Sequence, residues 1–295
     1  MTNPNLPTMT NAGLRPAHSV TAVDEYGETR EGMIAGERPL TLMLDDREVV
    51  TLMTLGTHPE LLTLGYLLNQ KLVPCLESID SISVDWDNER VDVRTFDGIA
   101  DLEAKLKHRV VTSGCGQGTV FGRMGESIEK IRLPQSAIRQ SQIYALLEHI
   151  NDYNEVYKRA GAVHGCALCG FDAAGAPQID VFVEDVGRHN ATDSIAGHMW
   201  LNNIDGEIRW FYTTGRLTSE MVIKVAQMSI PVLLSRSGIT QKGLELARKV
   251  GVALIARAKG RHFLVYNGAE RIEFDAKPSR RDGGKARKSN IRLSA

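Results

Sequence analysis

The sequence predicts an α/β protein: a largely parallel sheet covered by helices on both faces, with a smaller α+β portion in front of it. Three observations carry this. From about residue 179, short apolar runs alternate with helical periods over short connections, the pattern of strand–helix–strand crossovers. The first hundred residues instead show apolar runs paired across acidic turns, as hairpins do. With 295 residues, 42% of them apolar, the chain can bury one large core plus a smaller one.

In order, residues 1–19 are polar with three prolines and read as a disordered tail without the apolar stretch of a secretory signal. Residues 20–108 form the small α+β portion. Pro39 to Leu44 and Glu48 to Leu52 are strand-like around Asp45-Asp46. Pro59 suits the first position of a helix whose face is Leu61, Leu62, Leu64, Leu67 and Leu68. Ser81 to Trp86 and Arg90 to Arg94 make a second hairpin around Asp87-Asn88. Residues 109–275 form the larger α/β domain. Ser141 to Ala160 reads as one amphipathic helix, with apolar residues from Ile143 to Tyr157 at spacings of three and four and Gly161 past its end. Then come strand 179–184 and a helix to 201, strand 208–213 and a helix to 228, strand 232–235 and a helix opened by Thr240, and strands at 252–256, 262–266 and 271–274.

The formal net charge of −1 hides an asymmetry. Residues 276–295 hold seven basic residues and one acid, which gives +6 for the tail and leaves −7 for the rest. Such a tail is expected to be solvated and disordered. No apolar run is long enough to span a membrane. A cytoplasmic address is the default, and four cysteines in such a chain are not a disulfide framework.

One cysteine stands apart. Cys115 lies in Thr112-Ser113-Gly114-Cys115-Gly116-Gln117-Gly118, just after a β-branched run. Three glycines in five positions leave little bulk around the sulfur and permit positive φ, so the loop should present an accessible thiol. A glycine turn that merely carries a thiol has the same local sequence.

The polar constellations fall on the strand C-termini, which right-handed crossovers place along one edge. Glu184-Asp185-Val186-Gly187-Arg188-His189-Asn190 leads from a strand into a helix, where free backbone N–H groups, Arg188 and His189 suit an anion. Thr213-Thr214-Gly215-Arg216 and Ser235-Arg236-Ser237-Gly238 repeat that design without the Gly-Lys-Ser/Thr of a Walker loop. Arg257-Ala258-Lys259-Gly260-Arg261-His262 adds a basic turn between late strands. Three arginine-bearing turns on one edge point to a polyanion or nucleotide site. His164-Gly165-Cys166-Ala167-Leu168-Cys169 stays open between packed thiols, a redox or sulfur-relay pair and a zinc site like that of nucleotide deaminases, whose H-x-E element is absent.

Thr112 to Gly116, Gly161 to His164, Glu184 to Ala191, Thr214-Gly215-Arg216 with Ser219-Glu220, and Ser235 to Ser237 with Thr240 are colinear with one family. Over residues 20–275 the chain resembles the formate dehydrogenase accessory sulfurtransferase family, FdhD. The resemblance implies a cytidine-deaminase-like three-layer α/β/α domain and a homodimer. It also implies a sulfurtransferase that takes sulfur from a cysteine desulfurase as a persulfide on Cys115. The sulfur passes to the molybdenum or tungsten bis-molybdopterin guanine dinucleotide cofactor of formate dehydrogenase. Arg257, Ala258, Lys259, Gly260, Arg261 and His262 match the family's cofactor-binding loop; Arg188, His189, Arg216 and Arg236 are expected to help hold it. No resident metal, nucleic acid or membrane is expected. A non-catalytic cofactor chaperone and a zinc-dependent deaminase are the alternatives. Where some relatives carry a second active-loop cysteine this chain has Gly118, so Cys166 or Cys169 would have to serve as any relay thiol.

Overall fold

The structure, a computed structural model, describes residues 6–99 and 131–278, together with 102, 110–111, 118–119 and 128. Its first part holds β1 (Thr8–Met9), β2 (Ala17–Val23), β3 (Thr29–Ala35), β4 (Arg38–Leu44), β5 (Arg47–Thr54), α1 (Pro59–Asn69), β6 (Ile79–Asp85) and β7 (Arg90–Thr95). Leu40, Leu42 and Leu44 alternate into the core of this unit. Asp45 and Asp46 both take positive φ, +46° and +64°, the backbone a two-residue hairpin needs, so the predicted turn is made. Pro59 opens α1 as expected.

Residues 1–19 do not behave as a disordered tail throughout. Thr8–Met9 runs parallel to β6. The Glu60 carboxylate accepts from Thr10 Oγ1 at 2.7 Å and from Ala12 N at 2.9 Å, which ties this segment to the first turn of α1. The sequence hides this because the segment's hydrogen bonds go to a carboxylate fifty residues away rather than to a neighbour.

The second part contains the pair β8 (Val110–Val111) and β9 (Gly118–Thr119), then β10 (Ile138–Arg139), α2 (Gln140–His149), α3 (Glu155–Ala160), β11 (His164–Phe171) and β12 (Pro177–Asp185). It continues with α4 (Arg188–Leu201), β13 (Trp210–Thr213), α5 (Ser219–Gln227), β14 (Val232–Ser235), α6 (Gln241–Val250), β15 (Ala253–Lys259), β16 (His262–Asn267) and β17 (Ile272–Glu273). Its sheet runs β12-β11-β13-β14-β15-β16. Phe211, Leu233 and Leu254 pack under α4, α5 and α6 on one face, while Trp210, Tyr212, Leu234 and Ile255 meet α2 on the other. Helices therefore cover both faces, as expected.

The sheet is less parallel than expected. Only β13–β14 and β14–β15 are parallel pairs, while β11–β12, β11–β13 and β15–β16 are antiparallel. The connections at 172–176 and 260–261 are too short for a crossover helix, so they turn the chain straight back. β17 joins β10 in a separate two-stranded pair instead of finishing the main sheet.

The single helix predicted over 141–160 is broken in two. Asn154 turns inward and its Nδ2 donates to the Ile150 carbonyl at 3.0 Å. The Glu184 carboxylate then accepts from Val156 N at 2.8 Å and Tyr157 N at 2.9 Å, starting α3 afresh. Tyr157 consequently points away from the core and is half exposed.

The two parts meet where α1 crosses α4. A Cβ on Gly65 would overlap the Asp193 carbonyl oxygen, and one on Gly197 would overlap that of Leu61. Beside this crossing, fully buried Asp193 accepts from Asn69 Nδ2 and from Lys224 Nζ, both at 2.7 Å. Gly65→Ala is therefore expected to lower unfolding free energy by about 3 kcal/mol, the upper end for overpacking, read as a drop in urea midpoint.

Candidate functional site

Antiparallel pairing brings the start of β11 to the same edge as the ends of β12, β13, β14 and β15. His164 faces Asp185 in register, and Cys166 pairs with Thr213. Thr213 and Ser235 are neighbours across the parallel pair, and Arg257 N donates to the Ser237 carbonyl at 2.9 Å. The predicted clustering of arginine-bearing turns on one edge is what the chain adopts.

A cleft of about 390 Å³ opens there, lined by Tyr157, His164, Thr214, Arg236, Ser237 and Arg257 among others. Each arginine is held. Arg236 is hydrogen-bonded to the phenol of buried Tyr212. Arg257 sits at a bulge in β15 with φ +54°, and its guanidinium lies against Gly238, where a Cβ would come within 3.3 Å. A non-glycine residue in the left-handed region is costly and is kept where the surroundings demand it. Two exposed guanidinium groups with nearby hydroxyls can bind a phosphate or pyrophosphate in bidentate fashion. A larger cleft of about 470 Å³ lies beside α3, but Asp152, Glu155 and Glu184 line it and give it the wrong sign for an anion.

The other expected ligand groups are placed differently. His189 is buried, with Nε2 at 3.3 Å from Glu220 Oε2. Burial pushes it well below the ordinary histidine range, and Lys224 and Arg188 add to that, so it is a neutral core residue. Arg188 is buried at the first position of α4, with its stem packed against Gly215. Arg216 is exposed outside the cleft lining. Ala258 is a core residue: the bulge at Arg257 turns it inward on the α2 side of the sheet, between exposed Arg257 and Lys259. Lys259, Gly260, Arg261 and His262 form an exposed turn beyond the bulge. There Arg261 lies over the Tyr144 ring, 5.8 Å from its centroid.

The Glu184-to-Asn190 element is mainly a clasp. Asp185 Oδ2 accepts from Thr54 Oγ1 at 2.6 Å and Leu55 N at 3.1 Å; its Oδ1 accepts from Gly187 N and Asn190 Nδ2. Asn190 also donates to the Met53 carbonyl at 2.7 Å. These bonds join the first part of the chain to the second.

Cys166 and Cys169 are fully buried on opposite faces of the sheet, Cys166 under α4 and Cys169 toward α2. Three residues apart on a strand, their sulfurs cannot share a disulfide or an ion. The Cys166 thiol contacts Thr213 Oγ1 at 3.2 Å, and burial pushes it up to about 11. Cys115 lies outside the described residues; β8 and β9, which flank it, pair antiparallel. Sequence reasoning missed Thr214 and Ser237 as individual ligand candidates, although both stand beside arginines it singled out, and it treated His164 only as a zinc candidate.

Residues 35–273 match the model of the FdhD/NarQ family. The chain is 26% identical over 259 residues to the sulfur carrier protein FdhD of Wolinella succinogenes, covering 86% of this chain and 89% of that one. It is 27% identical to the protein of that name from Bacillus subtilis, covering 86% and 98%, and 30% identical to that from Sulfurisphaera tokodaii, covering 84% and 95%. A crystal structure of a protein assigned as a formate dehydrogenase accessory protein, from Desulfotalea psychrophila, superposes with a TM-score of 0.69. It is 27% identical and covers 87% of this chain and 98% of its own. The chain belongs to the FdhD/NarQ family. Among the described residues, no helix is long and apolar enough to cross a membrane.

Two outcomes follow from burial. Brief alkylation of the native protein should label exposed Cys75 and leave Cys166 and Cys169 unmodified until denaturant is added, as read by peptide mass spectrometry. The unfolded chain takes up a proton on His189 near 6.5, whereas the folded chain does so only at lower pH. Stability is thus full above that value and lost as pH falls through it, by up to about 1.4 kcal/mol per pH unit for each such histidine. Urea midpoints between about pH 7.5 and 5.5 should fall accordingly, and His189→Gln should flatten the fall.

Proposed function

We propose that this FdhD/NarQ family member is a sulfur carrier. Cys115 receives sulfur from a cysteine desulfurase, and the recipient is the molybdenum or tungsten bis-molybdopterin guanine dinucleotide cofactor destined for formate dehydrogenase. The observation that carries the proposal is the cleft of Arg236 and Arg257 at one sheet edge, in a chain alignable over most of its length with proteins named sulfur carriers. The Cys115 thiolate attacks the outer sulfur of the donor's cysteine persulfide. A new S–S bond forms, the donor's S–S bond breaks, and the electron pair leaves on the donor's thiolate, so no oxidant is consumed.

The cofactor is here a substrate. Its pyrophosphates suit Arg236 and Arg257, with Thr214 and Ser237 hydroxyls beside them, and exposed Lys259, Arg261 and His262 extend the positive surface outward. Buried His189 and Ala258 are left out of that contact set. A homodimer working in the cytoplasm belongs to the same proposal.

The test is mass spectrometry after incubation with a cysteine desulfurase and cysteine. Wild type should gain about 32 Da, one sulfur, on the peptide holding Cys115, and Cys115→Ala should not. An adduct that survives the substitution moves the active thiol elsewhere. Full restoration of formate dehydrogenase activity by Cys115→Ala would leave a non-catalytic chaperone.

A further inference from the structure

His164 has no role in the sulfur chemistry set out above, yet it lines the arginine cleft. It is the first residue of β11, half-buried, and lines the cleft with Thr214, Arg236, Ser237 and Arg257. The Thr214 hydroxyl accepts the Gly165 N–H at 3.1 Å, so its own proton is free to turn toward His164 Nδ1, 3.4 Å away. That contact favours the neutral tautomer protonated on Nε2. If Nδ1 gains a proton, the same hydroxyl can accept from it, so the site tolerates both charge states.

We propose that His164 is a ligand-contacting residue that takes up a proton from solvent when a pyrophosphate group seats between Arg236 and Arg257. The proposal rests on the cleft's holding the pyrophosphate of a nucleotide-bearing ligand. The charged groups around His164 are Arg188, Arg216, Arg236 and Arg257 from the strand-end turns and Asp185 across the β11–β12 pair, with the neutral, titratable His189 from α4 beside them. With no anion present, the surroundings disfavour a charged imidazole: burial does so first, then Arg188 and Arg216. A bound dianion reverses the local field, and the imidazolium becomes a further cation on the ligand. By linkage, binding must then tighten as pH falls.

The probe is diguanosine pyrophosphate, whose two charges do not titrate near neutrality. Its affinity for the full chain is measured by calorimetry from about pH 8.5 to 5.5. Wild type should bind roughly tenfold tighter at the acid end, the effect of about one pKa unit of coupling, with proton uptake peaking at about half a proton per ligand between the free and bound pKa values. His164→Gln should bind at every pH with the weaker, alkaline affinity. Wild-type affinity that ignores pH, or a slope that survives in His164→Gln, overturns the role of His164 while leaving the cleft's function standing. Failure to bind the probe at any pH overturns both the His164 role and the cofactor site, without touching persulfide formation on Cys115. If His164→Gln does not fold, NMR titration of the wild-type imidazole decides. A pKa that rises on saturation supports the proposal, and one that stays put overturns it.

Discussion

The close crossing of α1 and α4 is the constraint on which the rest of the molecule depends. Helix axes approach this closely only where glycines face each other, and Gly65 and Gly197 do so. The contact sets the buried face of α4 against the first part of the chain. Lys224 of α5 and Asn69 of α1 then converge on the fully buried Asp193. Breaking one partner of such a pair leaves a buried charge uncompensated, so α1, α4 and α5 hold a single arrangement. The start of α4 is thereby fixed, and with it Arg188, whose stem fills the space that Gly215 leaves open at the end of β13.

From that fixed point the sheet edge follows. Antiparallel β11 returns His164 to the level of Asp185 and beside Thr214, parallel β14 adds Ser235 and Arg236, and the bulge in β15 swings Arg257 back over Gly238. The geometry of this edge therefore depends on backbone placement as much as on side-chain type. Tyr212 illustrates the point: it is a core residue by packing, and its phenol nevertheless reaches Arg236. Because the cleft's two guanidinium groups are held before a ligand arrives, less ordering cost falls on binding.

Much of this was legible in the sequence, and the failures have physical causes. Apolar alternation and turn chemistry located the hairpin at Asp45-Asp46, the start of α1 and the strand ends that carry the arginines. Polar density at a strand end was ambiguous, because a clasp between two parts of a chain needs the same residue types as an anion site. Asp185 and Asn190 serve the clasp, Glu184 starts α3, and His189 turns to Glu220. Periodicity could not show the break at Asn154, since the acceptor that starts α3 comes from Glu184, outside the local pattern. Ala258 is buried for another reason: the bulge at Arg257 turns it to the face opposite Ala256, a break in alternation that a contiguous motif does not reveal.

The same alternation bears on the cysteines. A CxxC on a helix or loop can bring two sulfurs together, but on β11 it sends them to opposite sides of the sheet. Cys169 is sealed beside Trp210, on the face toward α2. Cys166 lies beneath the Arg188 turn, against Thr213, and burial keeps its thiol protonated. A relay through Cys166 would need the start of α4 to lift from the sheet, which opposes the constraint that fixes α4 in place. Sulfur chemistry that leaves this core closed must therefore use Cys115 alone among the cysteines of the larger domain. On the proposed function, Cys115 then accepts and releases the sulfur without help from Cys166 or Cys169.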